Sequence, residues 1–186
     1  MAGGGRSHRP GRAVILVTGA TGNAGGAVVR ALANSGEQVR AVVRDVNRAP
    51  LPAGVEQVAG DLNEPGTLLP HLEGITAAFL LAGYEGLEET LANMRRAEVE
   101  RVVLLSSSAA PSGDLTNAVA RYHILSERAV RESGLGWTFL QPNTFMTNTF
   151  QWLGQLRQGD RSGPRLRMSA SRPSTPTTSV RWPWRR

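Results

Sequence analysis

The segment Val17-Thr18-Gly19-Ala20-Thr21-Gly22-Asn23-Ala24-Gly25-Gly26 constrains this chain more than any other, because its glycines recur every third position at 19, 22 and 25. Residues 13–17 before it are continuously apolar, as in a strand buried on both faces. Residues 23–35 after it place Ala27, Val28, Ala31 and Leu32 at helical spacing and stop at Gly36. In a strand–turn–helix, the first glycine suits a tight turn, the second lets backbone approach a pyrophosphate, and the third lets helix and strand pack closely. Amides at the helix start would hold the phosphates. The expected contacts are Gly19, Thr21, Gly22, Asn23, Ala24 and Gly25. A packing turn without a ligand is the alternative, and the flanking strand and helix weigh against it.

The same alternation continues. Strands are expected at 39–43, 55–59, 77–82, 101–105 and 137–141, and helices at 64–72, 87–98 and 117–132. Repeated strand–helix units predict an α/β fold, a doubly wound parallel sheet of about six strands. Its expected bounds are residues 13–159, after a disordered leader at 1–12. From 160 to 186 the composition turns to Arg, Ser and Pro with few aliphatic side chains, so a disordered tail is expected.

Charge follows this division. The net +6 combines +3 in residues 1–12 and +7 in residues 161–186 with 11 Arg against 15 acids between them, a −4 centre. A basic protein often binds nucleic acid. Here the positive charge lies at the ends, and nucleic acid is not an expected partner; Trp182 and Trp184 in the tail are read as incidental. Every basic residue is Arg, and there is no Lys and no Cys. That excludes a phosphate-binding P-loop lysine, a Schiff base, thiolate metal sites and a thiol nucleophile. His8, His71 and His123 are too scattered for a metal centre, and none is expected. No apolar stretch approaches the roughly 18–20 residues of a membrane span, so a cytoplasmic protein without membrane contact is expected.

The residues after the second strand choose between dinucleotides. An acid there accepts from the ribose hydroxyls of NAD, whereas Arg pairs with the 2′-phosphate of NADP. Arg44 comes first and Asp45 second, which predicts NADP and leaves NAD open. Asp61 and Leu62 after the third strand are expected near the adenine, and Ala82 after the fourth on the ribose side.

Thr18–Gly25, Arg44, Gly60-Asp61-Leu62, Ser106-Ser107-Ser108, His123 with Glu127, and the run from Thr138 to Asn148 together resemble the NmrA-like family of atypical short-chain dehydrogenase/reductases. The resemblance covers residues 13 to about 159 and implies a Rossmann fold that binds NAD(P). Some members of that family reduce quinones or other conjugated substrates, and others sense the dinucleotide without turning it over. Registration on Glu127 puts His123 where the wider superfamily has its catalytic Lys, and Val119 where it has Tyr. The Tyr/Lys acid is therefore absent. His123 is the catalytic candidate, with Glu127 one turn on expected to orient its ring and support its protonated form. A purely structural histidine is the alternative. Ser107 is the remaining hydroxyl expected to hold cofactor or substrate, and Tyr122 is expected to pack.

Family members continue beyond the sixth strand into a lobe that shapes the substrate pocket, which this chain is expected to lack. A shifted reading frame offers a reason. Regrouping the codons of residues 161–186 by one base, with G or C at most wobble positions, allows VRAPFADVRVAAIDPDDIGAVAVAA, similar to the family's continuation; the coding DNA tests this. The expected function is NAD(P)H-dependent hydride transfer to a small conjugated carbonyl or quinone. The alternative is a non-catalytic NAD(P) sensor acting through a protein partner.

Overall fold

The computed structural model describes residues 13–47, 51–153 and 157. The expected leader at 1–12 and the whole expected tail at 160–186, with its frame shift, lie outside them. By its contacts the chain divides into Met1–Gln141 and Pro142–Arg186.

The first unit holds one six-stranded sheet, every pair parallel, in the order β3-β2-β1-β4-β5-β6. The strands are β1 (Val14–Val17), β2 (Gln38–Val43), β3 (Glu56–Ala59), β4 (Ile75–Leu81), β5 (Arg101–Leu105) and β6 (Gly136–Leu140). The helices are α1 (Asn23–Asn34), α2 (Leu87–Arg96) and α3 (Ala118–Glu132). Parallel strands need crossovers, which cover both faces and account for the apolar runs. On one face α1 seals Val17, Val39, Ala41, Val43 and Phe79 with Val29 and Leu32. On the other, Leu87, Leu91 and Met94 of α2 and Val130 of α3 pack with Leu16, Leu80, Val102 and Leu104. The expected doubly wound sheet is thus formed.

Two local expectations are corrected. Residues 64–72 form no α-helix but two 3-10 turns, Pro65–Thr67 and Leu69–His71. Pro70 lacks the amide an α-helix over 64–72 needs inside its ladder, whereas Pro65 sits in the first turn where none is needed; i→i+3 bonds close instead, Leu68 N–H to Pro65 O at 3.1 Å and His71 N–H to Leu68 O at 2.9 Å. Leu62, Leu68 and Leu72 still anchor this crossover in the core. The inner face of α1 is likewise Gly25, Gly26, Val29 and Leu32, while Ala27 and Ala31 are exposed. Without Cβ atoms the two glycines let the helix backbone approach the sheet, which turns that face inward.

α3 begins at Asn117, whose Oδ1 accepts the N–H groups of Val119 and Ala120, both at 3.0 Å. The second unit is described by the 3-10 segment Met146–Trp152.

Candidate dinucleotide site

The glycine turn leaves β1 at its C-terminal end. Thr18 closes that end by donating both N–H and Oγ1–H to Phe79 O, at 3.0 and 2.9 Å. Gly19 has φ +61°, and Gly22 N–H returns to Gly19 O at 2.9 Å. A Cβ on Gly25 would lie 2.2 Å from Gly19 O and 2.8 Å from Thr18 O, so this glycine lets α1 rest directly on the turn backbone. Gly22 caps α1 with no side-chain hydrogen bond. The opening turn of α1 is therefore not covered by its own cap, and the dipole there favours an anion. Thr21, Gly22 and Asn23 are exposed and Ala24 half-buried beside it.

Arg44 is the first residue past β2, which runs beside β1 with Val17 opposite Ala41. It is exposed and makes no hydrogen bond or ion pair among the described residues. Asp45 is engaged, its Oδ1 accepting Asn47 N–H at 2.9 Å. Asp61 closes a similar local turn with Asn63 N–H at 2.9 Å, and the Leu62 side chain is 5% exposed in the core. Ala82 is half-buried just past β4, in a groove with Leu81, Gly83, Tyr84 and Tyr122. A helix start without a side-chain cap, a close-packed glycine turn and a guanidinium with no partner among the described residues fit the phosphates of a dinucleotide.

The catalytic candidates fall differently. His123 sits on the inner face of α3 and is 9% exposed, with Nδ1 buried and without a hydrogen-bond partner. Burial pushes its pKa below the ordinary 6.5, against the opposing attraction of Glu127. Glu127 was expected to orient this imidazole; it bonds elsewhere. Its Oε1 accepts Ser106 Oγ–H at 2.5 Å and Gln141 Nε2–H at 2.7 Å, and its Oε2 accepts from Arg131 at 2.8 Å. The carboxylate ties the ends of β5 and β6 to α3, and burial works against the protonated imidazole. The unfolded chain takes up its proton near pH 6.5 and the folded chain only at lower pH. This contribution is therefore complete above pH 6.5 and declines as pH falls below it. Urea midpoints at about pH 7.5 and about pH 5.5 should show a smaller fall for His123→Gln than for the natural protein.

Ser107 Oγ accepts Ala109 N–H at 3.2 Å in a local turn and is half-buried. Ser106, passed over in the sequence, is the inward-facing serine at 3% exposure. Strand alternation after Leu104 and Leu105 was the signal that separates the two. A second link missed in the sequence joins α3 to β4: Ser126 Oγ accepts Gly83 N–H at 3.1 Å. Among the described residues there is no group of His, Asp and Glu placed to hold a metal, and no helix long and apolar enough to cross a membrane.

A parallel sheet in this order, with a glycine turn at its first strand–helix junction, defines a dinucleotide-binding domain. The family model described as NAD(P)H-binding matches residues 19–175, and the chain belongs to that family. Over 148 residues it is 37% identical to the (4-alkanoyl-5-oxo-2,5-dihydrofuran-3-yl)methyl phosphate reductase of Streptomyces griseus subsp. griseus, covering 77% of this chain and 52% of that protein. It is 32% identical over 151 residues to the NAD(P)H azoreductase of Xenophilus azovorans, covering 78% and 53%. The structure of Citrobacter sp. triphenylmethane reductase complexed with NADP(H) matches with a TM-score of 0.66 at 26% identity, over 81% of this chain and 55% of that one. These neighbours belong to the NmrA-like group of atypical short-chain dehydrogenase/reductases that the sequence resembles. The chain spans about half the length of the curated relatives it matches, 52% and 53%.

Proposed function

We propose that this chain carries the dinucleotide-binding part of an NADPH-dependent reductase acting in the cytoplasm on a small conjugated carbonyl or quinone. The observation that carries the reading is Arg44, exposed and unpaired among the described residues at the strand end beside the glycine turn, while Asp45 is engaged locally. A guanidinium there pairs with a 2′-phosphate through charge-assisted bonds that an NAD ribose lacks. The relatives named as reductases support the same reading.

NADPH supplies a hydride when bound. Backbone amides opening α1 hold its phosphates, Gly25 keeps α1 against the turn, and Ala82 borders the ribose. Val119 has no proton to give and neutral His123 is buried, so these residues suit an acceptor whose reduced form takes its proton from water. A second reading draws on the same observation. With Val119 at 53% exposure in place of a Tyr, the domain could bind NADPH without turnover and signal to a protein partner.

Arg44→Ala should weaken NADPH by about 10- to 100-fold and leave NADH unchanged, as expected for one or two lost charge-assisted bonds. Fluorescence titration measures both; equal weakening of the two would overturn the role of Arg44 in preferring NADP. Adding a quinone to the NADPH complex then separates the readings. Oxidation supports the reductase, tight binding without oxidation supports the sensor, and failure to bind either nucleotide overturns both.

A further inference from the structure

The chain has two tyrosines, Tyr84 and Tyr122, and both line one groove with Leu81, Ala82 and Gly83. The groove lies just past the C-terminal end of β4 and touches the glycine turn: a Cβ on Gly19 would meet Leu81 Cδ1 at 2.5 Å. The strand order reverses between β1 and β4, and open α/β sheets take their ligands at that point.

Tyr122 is held in an unusual way for a packing residue. His123 stacks against it with ring centroids 4.1 Å apart and planes tilted by 37°. The ring also lies over Gly83, where a Cβ would come within 3.0 Å of Cδ2 and 3.3 Å of Cε2. One turn along α3, Ser126 fixes that same glycine's amide. The imidazole and the Gly83 backbone thus set the ring's position, yet it stays 41% exposed. A tyrosine that only filled the core would be covered. The groove lining is rich in carbon, carries no formal charge and presents two aromatic rings with phenolic tips.

We propose that Tyr122 is the specificity-determining residue of this site: its clamped ring is the wall on which a flat, conjugated aromatic acceptor stacks. This rests on the reductase reading and names its substrate class. His123 acts through Tyr122 as a positioning residue, and Gly83 is glycine because a side chain there would displace the ring.

The test uses the full chain loaded with oxidised NADP, which cannot reduce an acceptor, so binding is read without turnover. Dissociation constants are measured for naphthoquinone and for crotonaldehyde, a conjugated acceptor with no ring. Tyr122→Ala should weaken naphthoquinone by about tenfold, while crotonaldehyde changes by less than about twofold. Tyr122→Phe should keep naphthoquinone within about twofold of the natural protein, because the ring remains. An unchanged thermal midpoint shows that both variants fold. Naphthoquinone binding that survives Tyr122→Ala, is absent from the natural protein, or falls in step with crotonaldehyde overturns the proposal. If the stacking difference is found but NADPH is never oxidised, the reductase reading fails and the assignment of Tyr122 stands.

Discussion

Gly25→Ala should abolish NADPH binding and lower stability by about 3 kcal/mol or more, the upper range for overpacking a rigid contact. The added methyl would stand 2.2 Å from Gly19 O, 2.6 Å from Gly19 C and 2.8 Å from Thr18 O. All three are backbone atoms, so no side chain can rotate away. Relief requires α1 to move off the turn, which displaces the amides that face the phosphates. Gly22→Ala is the contrast. Its Cβ meets Gly19 O alone, at 3.2 Å, and Gly22 has φ −83°, which alanine adopts freely. That variant should fold within about 1 kcal/mol of the natural protein while weakening NADPH, since a methyl would then stand where the pyrophosphate approaches. Urea unfolding and NADPH titration on both variants separate the two roles. A Gly25→Ala protein with natural stability and affinity would show that the close approach does not matter.

Glu127→Ala should cost about 3 kcal/mol, because it removes a buried carboxylate that is accepting three charge-assisted hydrogen bonds. The loss is unequal among the partners. Ser106 is 3% exposed, so its hydroxyl would be left buried without an acceptor, whereas the Arg131 side chain is 49% exposed and returns to water. Glu127→Gln keeps a carbonyl oxygen for Ser106 and gives up the ion pair to Arg131. It should cost only about 1 kcal/mol. Chemical denaturation of the two variants checks the order. Equal losses would mean that the ion pair, rather than the buried hydroxyl, dominates.

Much of the fold was legible because periodicity and glycine spacing are local. The apolar run at 13–17 and the turn at 19–25 each specify backbone over a few residues, and the structure has β1 and α1 there. The same local spacing misleads at 64–72, where the apolar positions Leu68 and Leu72 conceal the effect of Pro70. In α1 it finds Val28 and Leu32 on the core side but leaves out Gly25 and Gly26, because a glycine pair reads as weakly apolar in sequence yet allows the closest approach in space.

The site was legible to the same depth. Gly19, Gly22, Gly25 and Arg44 could be proposed from strand ends alone, since a parallel sheet gathers the C-terminal ends of its strands along one edge. Glu127 is legible in the sequence, but its partners are not. One helical turn suggested His123, while the carboxylate reaches Ser106 and Gln141, 21 and 14 residues away in the chain.

By itself, then, the sequence determined the class of fold, the glycine turn after the first strand and the absence of a Tyr/Lys acid, because each depends on residue identity and short-range spacing. Only the tertiary structure decided that His123 is buried with its pKa pushed down, that Glu127 joins β5, α3 and β6, and that Gly83 and His123 bracket Tyr122 in the groove beside the turn. Burial and hydrogen-bond partners are set by whichever groups the sheet order brings within about 3 Å, a distance that spacing along the chain does not encode.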